Sequence, residues 1–245
     1  MTGVLQMNRL YEALPFLKRV SKQTRGQFER YFENAPYWVL DSVRVIELKK
    51  DTIFVRENTA VESIYLLGEG TVKAVDYRFY GEVFEFTSFH DLHAFGGMEM
   101  LMEDNLFRTT LQTVTPCTLV VIPAEIFGRW MSIDIQMLHI ETKNTVTNLL
   151  EQGRTSRTYL FLQGSNRLAF VLIDAYKNCQ KDGVLYVKNT RQELADSSGL
   201  CVKTVNRAVK KFEENGWITR HGNDFSIDKK QYKILETMIS ELIER

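Results

Sequence analysis

Apolar residues along this chain change their spacing several times. In the first 34 residues they fall at helical intervals, with Leu10, Leu14 and Leu17 on one short helix and Phe28 and Tyr31 at the centre of another. Beyond Pro36 the period shortens. Val43-Arg44-Val45, Ile46-Glu47-Leu48 and Thr52-Ile53-Phe54-Val55 are short mixed runs of the kind strands favour, and residues 63–67, 71–77, 83–89 and 111–121 continue the pattern. Asn58, Gly68, Gly70, Gly81 and the pair Gly96-Gly97 punctuate these segments. Many short strands between turn residues predict a sandwich or roll, not an open sheet with long crossover helices. Pro123 closes the region and suits the first turn of a helix starting at Ala124. Over residues 133–159, Ile135, Leu138, Thr142, Val146, Leu149 and Gln152 recur three or four apart, which predicts a long helix with one continuous face. Such a face can pair with its symmetry mate, although Gly153 and the polar Thr142 and Gln152 depart from a strict coiled coil.

The last third is patterned differently. Leu168, Phe170, Val171, Ile173 and Tyr176 make residues 166–178 an apolar helix, Asp182-Gly183 a turn and residues 184–187 a strand, with the domain boundary expected near residues 161–165, where Gly164 interrupts two helices. Thr190 and Glu193 have the spacing of a capping box, so a helix starts at residue 190 with Leu194 and Ala195 on its buried side. Gly199 supplies the turn before a second helix over residues 202–215. That helix buries Val205, Val209 and Phe212 and turns Lys203, Asn206, Arg207, Lys210 and Lys211 outward. Two short strands, 217–220 and 224–227, flank His221-Gly222-Asn223 as a hairpin, and residues 228–244 read as a terminal helix. Helix, turn, helix and hairpin in this order form a winged helix-turn-helix, a DNA-reading module.

Charge supports that division. The whole chain holds 31 basic and 31 acidic residues, so net charge alone gives no reason to expect a polyanionic partner. Its distribution does: residues 41–108 hold seven Lys/Arg against thirteen Asp/Glu, whereas residues 202–221 hold five against two. Within the second helix, Lys203, Asn206 and Arg207 are the candidates for base edges, because Arg can donate two hydrogen bonds to guanine and Asn can match adenine. Thr204, Lys210, Lys211 and, from the hairpin, Arg220 or His221 are candidates for phosphates, which position a duplex without identifying its bases. The three cysteines, Cys117, Cys179 and Cys201, have no metal-like spacing and predict buried roles in a reducing, intracellular compartment. Cys201 stands at a helix N-terminus, where a thiol pKa can fall. No leader segment and no membrane span are expected. His90 and His93 lack a third ligand and are read as structural or solvent-facing.

The order of β-rich sensor, long helix and winged helix-turn-helix resembles the Crp/Fnr superfamily of bacterial transcription regulators. The resemblance is strongest through Thr190-Arg-Gln-Glu-Leu-Ala, Gly199, Thr204-Val205, Arg207, Asn215 and Trp217-Ile218. It implies an α+β chain with a cyclic-nucleotide-binding-like β-roll in residues 1–131, a dimerisation helix in 132–162 and the DNA-binding domain in 163–245. It further implies a cytoplasmic homodimer on an inverted-repeat operator in double-stranded DNA, with RNA polymerase as a partner. The family commonly presents Arg-Glu before its Thr-Val pair where this chain has Val202-Lys203, so the operator should differ from the common one.

Residues 95–99 and 108–110 resemble the family's phosphate-binding cassette. Gly96, Gly97, Glu99, Arg108 and Thr109 are its candidate ligand residues: glycine admits close backbone approach and arginine makes a charge-assisted phosphate contact. The match is incomplete, because Met98 separates Gly97 from Glu99 and Thr110 stands where a compact Ala is usual. A cyclic nucleotide, a small anion or metabolite, and a roll with no ligand or under protein control are the three readings, and Arg108 has Glu99, Glu103 or Asp104 as alternative ion-pair partners. The competing function is a nucleotide-binding signalling or scaffold protein whose C-terminal domain contacts protein. No compact triad or paired-acid motif points to an enzyme.

Overall fold

A computed structural model describes residues 2–79 and 82–243, so the turn at Gly81 and the end of the last helix at Glu244 lie outside the described residues. The chain forms two compact units that divide inside the long helix, one built from Met1–Asp76 and Phe86–Leu150 and the other principally from Glu151–Arg245.

In the first unit, α1 (Thr2–Ala13), a 3-10 turn (Pro15–Lys18), α2 (Lys22–Tyr31) and α3 (Tyr37–Leu40) precede the strands. The single helix expected through Leu10, Leu14 and Leu17 is broken because Pro15 has no amide to continue it. All three leucines are nevertheless buried. The short α3 just after Pro36 carries no sequence periodicity long enough to announce it.

Eight strands follow: β1 (Arg44–Leu48), β2 (Ile53–Val55), β3 (Ser63–Glu69), β4 (Val72–Phe79), β5 (Glu82–Phe89), β6 (Ala94–Phe95), β7 (Thr110–Thr113) and β8 (Cys117–Pro123). They make two four-stranded sheets, ordered β1-β8-β3-β6 and β2-β7-β4-β5. The run expected at residues 111–121 is two strands, parted at Val114–Pro116, that enter different sheets. Alternation assigns the two faces of β3. Leu67 joins Val72, Leu111 and Leu119 between the sheets, whereas Ile64 and Leu66 turn outward onto Phe28, Phe32 and Trp130 of the helical layer. Gly70 joins β3 to β4 at φ +97°, and a Cβ there would run into the Pro116 carbonyl.

After α4 (Gly97–Leu101) and α5 (Ala124–Ile133), the chain breaks at Asp134, whose carboxylate accepts from the amides of Gln136 and Met137 and opens α6 (Ile135–Phe161). Met137 and Glu141 are buried against the first unit, while Ile135, Val146, Leu149 and Leu150 are 81%, 48%, 51% and 61% exposed.

The second unit continues with α7 (Ser165–Cys179), β9 (Val184–Val187), α8 (Arg191–Ser198), α9 (Val202–Glu214), β10 (Thr219–His221), β11 (Asp224–Asp228) and α10 (Lys229–Ile243). Its sheet is ordered β10-β11-β9, all antiparallel. Leu168, Leu172, Leu194, Val205, Phe212, Phe225 and Leu235 form one core beneath it. No helix among the described residues is long and apolar enough to cross a membrane.

Candidate nucleic-acid interface and sensor site

The second unit builds a two-helix reading head from local signals. Thr190 Oγ1 accepts from the Glu193 amide at 3.1 Å, and Glu193 Oε2 accepts from the Thr190 amide at 2.6 Å, so the capping box expected from the sequence is formed. Gly199 then turns at φ +61° and releases α9 across α8. On α9, Val205, Val209 and Phe212 are buried as the sequence reading expects, and Ala208 is buried with them.

The opposite face is polar and open. Lys203, Asn206, Arg207, Lys210 and Lys211 are all exposed. Lys210 Nζ lies 3.8 Å from Glu214, an exposed pair that contributes little. Lys203, Asn206, Arg207 and Lys211 have no side-chain hydrogen bond or ion pair among the described residues. Thr204 is half-buried, with its Oγ1 3.1 Å from Cys201 Sγ. That contact is the first cause of a lowered pKa at the exposed Cys201 thiol. Cys117 is buried as expected, but Cys179 and Cys201 are exposed.

Beside α9, the β10–β11 hairpin is a short wing whose tip is Gly222-Asn223. Arg220, a sequence candidate for phosphate, is engaged within the unit: Nη1 donates to Glu213 Oε2 at 3.0 Å and Nε to the Gly222 carbonyl at 2.8 Å. His221 Nε2 lies 2.9 Å from Ser226 Oγ. Sequence reasoning passed over Arg191, whose Nη2 donates to the Asn223 carbonyl at 3.2 Å. No local signal marks a contact between residues 32 positions apart.

In the first unit, Gly96 and Gly97 are buried, and Gly96 leads into α4 at φ +97°. The side chains of Glu99 and Arg108 are both taken by near neighbours. Glu99, 3% exposed, accepts the Arg108 amide at 3.1 Å and ties the two ends of the segment together. Of the three carboxylates open to Arg108, Asp104 is the one it takes, through both Nε and Nη2. The Leu106 amide first, and then Arg108, hold the Asp104 carboxyl below its ordinary pKa. Thr109 Oγ1 is buried with no hydrogen-bond partner.

Two neighbouring features were not legible in the sequence. Glu141 of α6 is 1% exposed, accepts the Tyr31 hydroxyl at 2.8 Å, and places Oε1 where a Cβ on Gly97 would stand. Burial pushes its pKa up to about 7, opposed by the Tyr31 hydrogen bond. Between the sheets, Phe54, Tyr65, Phe89, His93 and Phe95 form a contiguous ring cluster, with successive centroids 4.3–5.7 Å apart. His93 also meets Asn148 of α6, its Nδ1 3.0 Å from the amide nitrogen, and burial lowers its pKa to about 4. His90 is exposed and contacts Thr71 Oγ1 at 3.1 Å. A cleft of about 300 Å³ opens on the roll beside Phe54, Arg56, Thr59, Glu62, Tyr65 and Phe107, and none of the five cassette candidates lines it.

Residues 45–134 match the cyclic nucleotide-binding domain family, and residues 166–232 match the Crp-like helix-turn-helix domain family. Over 189 residues the chain is 22% identical to the cAMP-activated global transcriptional regulator CRP of Pasteurella multocida, covering 76% of this chain and 90% of that one. It is similar in structure to a transcriptional regulator of the Crp/Fnr family from Eubacterium rectale, with TM-score 0.70, 16% identity, and coverage of 92% of this chain and 99% of that one. It is similar also to the c-di-GMP responsive global regulator CLP of Xanthomonas campestris, with TM-score 0.69, 19% identity, and coverage of 83% and 99%. These structural likenesses show a shared fold.

Proposed function

The chain belongs to the Crp/Fnr superfamily of DNA-binding transcription regulators, and from that premise we propose that it reads an inverted-repeat operator as a homodimer, one α9 to each half-site. It is a regulator and not an enzyme. The observation that carries the operator reading is the uncommitted polar face of α9, where the side chains of Lys203, Asn206 and Arg207 have no partners among the described residues to lose on meeting base edges. Thr204, Lys210 and Lys211 flank them as phosphate contacts. The exposed apolar positions of α6 are the proposed dimer face, within a linking helix assigned to residues 132–162 between a sensor at 1–131 and a DNA-binding domain at 163–245. RNA polymerase is the further partner that family membership suggests.

Arg207 tests the operator reading. With a bidentate contact to guanine, Arg207→Ala costs about 1–3 kcal/mol of base discrimination, whereas Lys210→Ala weakens specific and scrambled duplex alike and lowers the salt slope by about one unit. Arg207→Lys rescues only in part, because it keeps the charge and loses the donor fork. Titrations on a selected operator and on scrambled duplex at two salt concentrations separate these outcomes. Equal losses of Arg207→Ala on both duplexes reassign the residue to the backbone, and no loss on either removes it from the interface.

The cassette residues do not fit a cyclic nucleotide. Arg108 is committed to Asp104 and Glu99 to the Arg108 amide, the Glu141 carboxyl lies against Gly97, and aromatic rings occupy the space between the sheets. Thr109 Oγ1 is the one buried side-chain polar atom without a hydrogen-bond partner among the described residues. The proposed sensor is therefore a roll that acts through another effector or none. Addition of cAMP or cGMP is expected to leave operator affinity unchanged and to give no binding heat by calorimetry. Saturable binding of either nucleotide overturns this assignment.

A further inference from the structure

We propose that Arg191 is a positioning residue for DNA recognition, acting with Arg220 to staple the wing to both helices of the reading head. This inference rests on the DNA-binding reading of the second unit and adds a role for residues that contact no base.

The wing is a short hairpin with a two-residue tip, and its strand pairing spans only Thr219↔Ser226, Arg220↔Phe225 and His221↔Asp224. Its inner strand β11 is held on the other side by β9, from Phe225↔Val187 to Asp228↔Val184, so the sheet leaves the edge strand β10 and the tip with the weakest support. Each backbone carbonyl of the tip, however, is taken by an arginine. Arg220 Nε donates to the Gly222 carbonyl at 2.8 Å, and its Nη1 is anchored at 3.0 Å to Glu213, near the end of α9. Arg191 Nη2 donates to the Asn223 carbonyl at 3.2 Å from the first turn of α8. The Arg191 guanidinium also lies over the Phe225 ring, 5.7 Å from its centroid. Phe225 is 1% exposed and belongs to the core that Leu194, Val205 and Phe212 also build.

Arg191 is thus fixed at both ends by rigid parts. Its backbone follows the capping box that starts α8, and its head rests on a core ring while holding the tip. Burial first, and then Arg220, lower its pKa, against the opposing charge of Asp224. Arg207 on the outer face of α9, by contrast, has no side-chain hydrogen bond or ion pair among the described residues. Two guanidinium groups, Arg191 reaching from α8 to the tip and Arg220 reaching from the wing to Glu213 of α9, therefore set the wing beside α9 before any duplex arrives. Such preorganisation strengthens specific binding by reducing the ordering left to do on association.

The experiment uses the full chain as wild type, Arg191→Ala and Arg191→Lys, with Lys210→Ala as the phosphate reference. The probes are an operator selected by wild type from random duplexes and a scrambled duplex of the same length. In free protein, Arg191→Ala should speed amide hydrogen exchange at residues 221–225 by about tenfold while leaving α9 unchanged, which a general loss of stability would not do. Operator affinity should fall about tenfold with the salt slope unchanged, because no phosphate contact is removed. Arg191→Lys should recover part of both effects through its single remaining donor, and it serves in place of Arg191→Ala if that variant does not fold. A fall in salt slope by about one unit with equal losses on both duplexes makes Arg191 a phosphate contact and overturns the staple. Unchanged wing exchange overturns it as well. If wild type selects no duplex, the DNA reading fails, while the exchange measurement still decides whether Arg191 holds the wing.

Discussion

Replacing Glu141 by Gln is expected to uncover a rise of the first unit's stability with pH that wild type largely cancels. In the unfolded chain this carboxyl titrates near 4.5, whereas in the folded chain it keeps its proton to about 7. The folded state therefore binds more protons in that interval. The stability this adds is complete below 4.5 and is lost as pH rises through 7, a change of about 3 kcal/mol. His93 acts in the opposite sense, since its folded pKa is lowered from 6.5 to about 4. Its contribution is present above 6.5 and is lost as pH falls through 4, so in wild type the two slopes largely offset one another. Glu141→Gln keeps an acceptor for the Tyr31 hydroxyl and removes the titration. The variant should match wild type at about pH 4 and exceed it by about 3 kcal/mol at about pH 8. Urea midpoints of the first unit at both pH values measure the difference, to which all other carboxylates contribute equally. Equal destabilisation at both pH values would mean that Glu141 is held as a satisfied carboxylate.

Charging the exposed face of α6 is expected to remove operator binding without unfolding either unit. Val146, Leu149 and Leu150 lie three and one residues apart, each about half exposed or more, while Glu141 and Asn148 of the same helix engage the first unit. Burying each leucine against a second copy is worth roughly 1.5–3 kcal/mol, and an aspartate there opposes association instead. The double variant Leu149→Asp/Leu150→Asp should give a light-scattering mass of one chain where wild type gives two. Its operator affinity should drop by on the order of 100-fold or more, because each chain then holds a single half-site. Scrambled duplex should show a much smaller loss. A wild-type mass of one chain at working concentration removes the dimer from the proposal.

The contrast between these sites explains what the sequence disclosed. The reading head was legible because its determinants are local: Thr190 and Glu193 cap within one turn, Gly199 takes the left-handed turn between two helices, and Val205, Val209 and Phe212 keep helical spacing. The roll was legible as a class, since short alternating runs and turn residues announce strands, but their pairing was not. Nothing in residues 111–121 signals that Thr110–Thr113 and Cys117–Pro123 join different sheets. The Glu141–Tyr31 contact spans 110 positions, and the aromatic cluster draws its rings from four separate segments, so neither leaves a local periodicity. Arg108 was intermediate, because Asp104 stands four residues away and was visible as a competitor for it.

The partition of α9 has an evolutionary consequence. The side chains that hold this helix in the core, Val205, Ala208, Val209 and Phe212, are not those that face outward at positions 203, 206 and 207. Among the described residues none depends on those three side chains for a hydrogen bond or an ion pair. Their substitution should leave folding within about 0.5 kcal/mol of wild type, as is ordinary for surface positions. Operator preference can therefore drift by single substitutions that selection for stability does not see, and the set of genes under control can change while the regulator itself stays intact.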